Sequence, residues 1–177
     1  MNRRELLAGA GRLGALRVGG YFVFGREGRA SGDRIDTVSI DTLDVSGSPG
    51  TSLTVPFDEG VTVIDLFATT CTACPAHIET LEAVRGRVGD EVRFVSVTNE
   101  RVGDAQPRSY FVEWWQRHGG AWPVGFDDEA TLTKALGLPS YPFTAVVNAE
   151  RLVTWSKAGQ PSVDPIVNAV QEAVDGA

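Results

Sequence analysis

Hydrophobic and polar positions along this chain change period several times, and the changes divide it into short strands and amphipathic helices. Ile35, Val38, Ile40, Leu43 and Val45 alternate well enough to predict a strand over 35–45. Ser46-Gly47-Ser48-Pro49-Gly50 has turn chemistry, and Leu53 to Phe57 reads as the returning strand of a hairpin. Val61 to Phe67 is a more continuous apolar run, the pattern of a buried strand. From Cys74 to Val88 the period lengthens: Ile78, Leu81 and Val84/Arg85 fall on one helical face, and Gly86 and Gly89 end it.

Val92 to Val97 predicts another strand, and Pro107 opens a helix through Tyr110 to Arg117 that Gly119-Gly120 closes. A short strand, Val124 to Phe126, precedes Asp127/Asp128, which cap a helix from Glu129 to Leu136 stopped by Gly137. Phe143 to Val147 and Leu152 to Lys157 form a hairpin across Asn148-Ala149-Glu150. Asp164-Pro165 starts the last helix, Ile166 to Val174, with proline in its first turn. Strands alternating with helices and closing on a hairpin predict an α/β fold, a central mixed sheet flanked by helices.

Composition narrows the function. At 177 residues the chain is long enough for one domain with extra sequence. A net charge of −7 and the lack of basic clusters beyond the N-terminus argue against a nucleic-acid surface. The acidic balance and only two lysines, Lys134 and Lys157, suggest salt adaptation. The chain has two cysteines, too few for a disulfide scaffold, and lacks the Cys/His quartet of a structural zinc site.

Those two cysteines carry the chemistry. Cys71 and Cys74 sit three apart, where the strand 61–67 gives way to the helix. That spacing lets a disulfide close across one helical turn and pass two electrons to or from another protein. The helix N-terminus favours thiolate, so Cys71 is the expected attacking sulfur and the deeper Cys74 the resolving one. The plain alternative is a buried structural pair.

Asp65 lies inside the apolar strand. Burial there raises its pKa and suits it to take the proton Cys74 must lose, unless it faces solvent or a sheet edge. Tyr141-Pro142, just ahead of a strand, is compatible with a cis bond that turns the Tyr141 backbone toward an extended peptide; Pro139 is a second candidate further from the strand. His77 shares a helical face with Cys74 and can tune it near neutral pH, or join Cys71 and Cys74 around a soft metal, or be an ordinary, partly exposed helix histidine. His118 has no evident partner and reads as surface; Trp114, Trp115, Trp122 and Trp155 read as structural, with a partner-binding patch as the alternative for the first two.

At the N-terminus, Arg3-Arg4 followed by Leu6-Leu7 and a Gly/Ala-rich run to Phe24 has the form of a twin-arginine export signal, interrupted by Arg12 and Arg17 and without a clear cleavage site. A frayed cytosolic tail is the alternative. Residues 25–34 read as a linker, giving a signal or anchor with linker over 1–34 and one domain over 35–177. An uncut signal would tether the protein to the outer face of the membrane.

Val-Ile-Asp-Leu-Phe-Ala-Thr-Thr-Cys71-Thr-Ala-Cys74, Tyr141-Pro142, Gly159 and the order of elements resemble the thioredoxin superfamily, most closely its TlpA/ResA-like branch of exported thiol–disulfide oxidoreductases, over residues 36–175. The resemblance implies a thioredoxin-like fold with an N-terminal β-hairpin and a central strand–helix insertion. Asp65 matches the family's buried acid and Pro142 its cis-proline. Protein thiols and disulfides are the implied partners, with a membrane electron donor, no nucleic acid, and no cofactor beyond the Cys71–Cys74 disulfide.

Three positions depart from the pattern: Thr70 and Phe67 stand where tryptophans are common, and His77 where an acid is usual. Thr70 joins Tyr141 and Pro142 as a candidate substrate contact. A histidine in place of a carboxylate would favour thiolate and a stronger oxidant, whereas the family branch favours a reductase. A thioredoxin-fold copper carrier, a thiol peroxidase and a catalytically silent interaction domain are the rival readings.

Overall fold

The computed structural model describes residues 31–104 and 106–176. Nine strands and four helices follow in order: β1 (Val38–Thr42), β2 (Asp44–Val45), β3 (Ser48–Pro49), β4 (Ser52–Val55), β5 (Val61–Leu66), α1 (Cys74–Arg85), β6 (Val92–Thr98), α2 (Arg108–His118), β7 (Val124–Phe126), α3 (Thr131–Ala135), β8 (Phe143–Val147), β9 (Val153–Ala158) and α4 (Val163–Asp175). Seven strands form one mixed sheet in the order β4-β1-β7-β6-β5-β8-β9, with β2 and β3 as a separate ribbon. β5, β6 and β7 run parallel, as strand–helix–strand crossovers require, while the β8–β9 hairpin and the β1–β4 pair lie antiparallel at the two sides. The mixed sheet, the N-terminal hairpin and the inserted strand–helix segment are those expected.

Alternation along the central strands sorts side chains into two cores. Val61, Val63 and Phe67, Val92 and Phe94, and Val146 pack with α1, α2 and α4. Ile64 and Leu66, Val95 and Val97, and Phe143, Ala145 and Val147 face the other way, toward β1, β4 and Leu132 of α3. β5 is buried along its whole length, the reason its pattern reads as a continuous apolar run. Two core layers explain why a chain with one short β-hairpin at each side still buries a full sheet.

Boundaries differ from expectation for local reasons. The expected 35–45 strand breaks at Leu43, whose N–H pairs with Val124 while its carbonyl accepts from Gly50. The ribbon β2–β3 then turns through Gly47, at φ +82°, where a Cβ would lie 2.5 Å from the Ala121 carbonyl carbon. α1 stops at Arg85 rather than Val88, because the Gly86 and Arg87 amides fold back onto Glu82 and Val84. α3 spans five residues instead of eight: Ala130 is left-handed at φ 54°, and the buried Asp127 carboxylate accepts from the amides of Thr131, Leu132 and Thr133. α4 begins three residues early, at Val163.

Part of the stretch read as linker belongs to the packed chain: Gly32, Asp33 and Ile35 exchange backbone hydrogen bonds with Arg151 and Val153. The twin-arginine-like segment lies outside the described residues. Among the described residues no helix is long and apolar enough to cross a membrane.

Candidate redox-active site

β5 ends at Leu66, and Phe67 makes the last link to β6 through Val97. The chain then leaves the sheet, turns through Ala68–Cys71, where the Cys71 amide donates to Ala68, and enters α1 at Cys74. Cys71 and Cys74 form a disulfide with their Cα atoms 5.4 Å apart. Cys71 is half-buried and Cys74 fully buried in the core with Phe67, Ile78 and Trp114. The first turn of α1 carries no acidic residue, so no carboxylate of the helix itself offsets its N-terminal charge.

Pro142 stands at the same end of the sheet, because Phe143 pairs with Leu66. The Tyr141–Pro142 peptide is cis, as expected. Tyr141 is half-buried, packs on both cores and donates its hydroxyl to Asn99 Oδ1 at 2.6 Å. Burial, then the Glu100 and Asp127 charges, raise its pKa. Thr70 is exposed on the turn before Cys71.

Asp65 is 1% exposed and shares its strand face with Val63 and Phe67, beneath α1. Register places Ser96 of β6 on one side of it and Thr144 of β8 on the other, a polar row across three apolar strands. Ser96 Oγ donates to Asp65 Oδ2 at 2.7 Å and accepts from Trp122 Nε1 at 3.0 Å. Asp65 Oδ1 has no hydrogen-bond partner among the described residues. Burial pushes the carboxyl up from 3.8 to about 7, a rise that the Ser96 hydrogen bond tempers.

His77 closes this row from above. It is fully buried, its Nε2 2.7 Å from Thr144 Oγ1 and 3.7 Å from Asp65 Oδ1. Burial lowers its pKa to about 4. Between about pH 4 and 7 both Asp65 and His77 are therefore neutral, and their proximity is not an ion pair. His77 is thus not the partly exposed helix histidine of one alternative reading; its burial disfavours the protonated ring. Its Nε2 is engaged by Thr144, and among the described residues no group of three His, Cys, Asp or Glu side chains is arranged to hold a metal. His118 is also not a free surface residue; it packs on Trp114 with ring centroids 5.1 Å apart. Trp114 and Trp115 both contact Phe67, so that aromatic cluster backs the dithiol.

Sequence reasoning brought together Cys71, Cys74, Asp65, His77, Tyr141 and Pro142. It missed Ser96 and Thr144, each a single polar residue between apolar neighbours on its strand; Trp122, read as structural, packs in the core and also donates its Nε1 hydrogen to Ser96.

The family model described as Redoxin matches residues 30–173. A search of curated protein sequences finds no significant match. Among solved structures, the thioredoxin domain of a thiol-disulfide oxidoreductase from Bacteroides vulgatus superposes with a TM-score of 0.66 at 15% identity, covering 82% of this chain and 99% of that one. The exposed lipoprotein thioredoxin Etrx1 of Streptococcus pneumoniae gives 0.63 at 19% identity, covering 77% and 99%. StoA of Bacillus subtilis gives 0.61 at 14%, covering 76% and 96%. At these identities the likeness is one of fold.

Proposed function

Because the chain belongs to the redoxin family, we propose that it is a thiol–disulfide oxidoreductase acting on protein disulfides through Cys71 and Cys74. The observation that carries this reading is the asymmetry of the pair: one half-buried and one fully buried sulfur, joined where β5 meets α1, above a buried carboxyl.

In the reducing direction the Cys71 thiolate attacks a substrate disulfide. A Cys71–substrate disulfide forms, and one substrate sulfur leaves as a thiolate. Cys74 then gives its proton to ionised Asp65 and attacks Cys71 Sγ. The Cys71–Cys74 bond closes, the second substrate sulfur departs, and two electrons have passed to the substrate. An acid with a pKa of about 7 accepts and returns that proton at neutral pH. Pro142 and the Tyr141 backbone form one wall for an extended substrate chain, and Thr70 leaves the rim beside Cys71 uncovered by an aromatic ring.

The TlpA/ResA-like likeness favours the reductase direction. Neutral His77 acts by holding Thr144 and sealing Asp65 from water, not by charge. The Arg3-Arg4 segment supports export, with the domain outside the membrane, tethered if the segment is uncut and recharged by a membrane electron donor.

Redox titration against glutathione tests this. A reversible two-electron couple nearer thioredoxin's value of about −270 mV than about −120 mV supports a reductase. A couple at the oxidising end reverses the direction, and a dithiol that does not titrate reversibly removes the function.

A further inference from the structure

Two residues just beyond β6, Asn99 and Glu100, have no part in the exchange chemistry above. The Glu100 carboxylate accepts from the Thr69 amide on Oε2 at 2.6 Å, from the Thr69 hydroxyl on Oε1 at 2.8 Å and from the Thr98 hydroxyl on Oε2 at 3.2 Å. Its own amide donates back to Thr98 Oγ1. The neighbouring Asn99 accepts the Tyr141 hydroxyl. One dipeptide thus holds both walls of the site: the turn that leads into Cys71 and the residue ahead of Pro142.

That turn has little else to hold it. Backbone pairing with β6 ends at Phe67, and over 68–70 the described backbone hydrogen bonds are Cys71 N–H to Ala68 and Thr69 N–H to Glu100. A loop-capping role alone would account for one such bond. It does not account for both carboxylate oxygens being spent on a residue two positions from the attacking cysteine, or for the adjacent residue gripping Tyr141. Resting on the dithiol reading of this site, we propose that Glu100 is a positioning residue that clasps the Thr69 turn, fixing the approach of Cys71 and opposing its ionisation with a nearby negative charge.

Two consequences separate. The clasp holds geometry, and the charge sets basicity. Among the titratable groups around the site, Asp65 and His77 lie buried beneath the dithiol, while Glu100 stands near the Tyr141 hydroxyl, where it and Asp127 are the charges acting on that side chain. A Coulomb effect of Glu100 is therefore readable at two independent groups, Cys71 and Tyr141.

The experiment compares Glu100→Gln, Glu100→Ala and Thr69→Val in the full chain. Cys71 ionisation is read from iodoacetamide alkylation of reduced protein against pH, Tyr141 ionisation by NMR, and exchange with a small disulfide at a pH where Cys71 is fully ionised. Glu100→Gln should lower both pKa values by about several tenths of a unit, the size expected for removing one nearby charge screened by a water-like dielectric, and keep the exchange rate within about threefold of wild type because an amide oxygen still accepts from Thr69. Glu100→Ala should lower the pKa values equally and slow exchange roughly tenfold, the loss expected of a displaced nucleophile. Thr69→Val should slow exchange and leave the Tyr141 pKa unchanged.

Variants that lower only the melting temperature, with both pKa values and the exchange rate of fully ionised Cys71 at wild-type levels, would overturn the proposal and leave Glu100 a loop cap. The alkylation arm needs no substrate. A wild type that fails to exchange with disulfides would sink the oxidoreductase reading, while the charge effect of Glu100 would still be decided by the thiol pKa.

Discussion

Replacing Asp65 by asparagine removes the one buried carboxyl of the polar row while keeping an oxygen for Ser96 to donate to. The consequence for stability has a definite sign. The unfolded carboxyl ionises near 3.8 and the folded one near 7, so between these values the folded state holds a proton that the unfolded state has lost. Stability is therefore full below about pH 4 and falls as pH rises through 7. Three pKa units at about 1.4 kcal/mol each give a loss of about 4 kcal/mol by pH 9. It is an upper limit, because a water reaching Oδ1 would rehydrate the ionised group. Urea unfolding of the oxidised protein and of Asp65→Asn at pH 4, 6, 8 and 9 measures it. The variant should be within about 0.5 kcal/mol of wild type at pH 4 and gain about 2–4 kcal/mol over it by pH 9. Its exchange kinetics should lose the inflection near pH 7 and leave the mixed disulfide longer-lived, since Cys74 has no acceptor for its proton. A stability difference that does not change with pH, or that grows as pH falls, would show that Asp65 is not held protonated by burial.

Two further outcomes follow from the same geometry. Thr144→Val deprives His77 Nε2 of its 2.7 Å partner inside the core, and should cost about 1–3 kcal/mol in urea unfolding at pH 7. Asp127→Ala frees three amides at the start of α3 together with the Thr133 hydroxyl. It should cost about 2–3 kcal/mol and raise hydrogen exchange over Thr131–Ala135 before the rest of the fold opens.

The order of elements was legible because each period change coincided with a turn residue, and the site was legible because both cysteines fell at one of those changes. His77 was readable in part: Cys74, His77, Ile78, Leu81 and Val84 are the buried residues of α1, and a histidine inside that spacing belongs to the buried stripe. What the spacing alone does not convey is that burial leaves the ring neutral. Ser96 and Thr144 were out of reach for another reason. Each is a single polar residue in an apolar strand, and only the register β6–β5–β8 brings them to either side of Asp65. The Glu100 clasp was hidden likewise, since its 31-residue separation from Thr69 leaves no local pattern. The shortness of α3 depended on Asp127 being drawn into the structure, whereas a cap read from sequence is assumed to sit at the surface.

The central claim is that Cys71 attacks and Cys74 resolves. Trapping in cell extract tests it most directly. With Cys74→Ser, mixed disulfides should accumulate through Cys71, survive non-reducing electrophoresis and vanish on reduction, with mass spectrometry placing the link at Cys71. Cys71→Ser should trap little, because Cys74 is fully buried. Accumulation through Cys74 in the Cys71→Ser protein, with none in Cys74→Ser, would contradict the assignment.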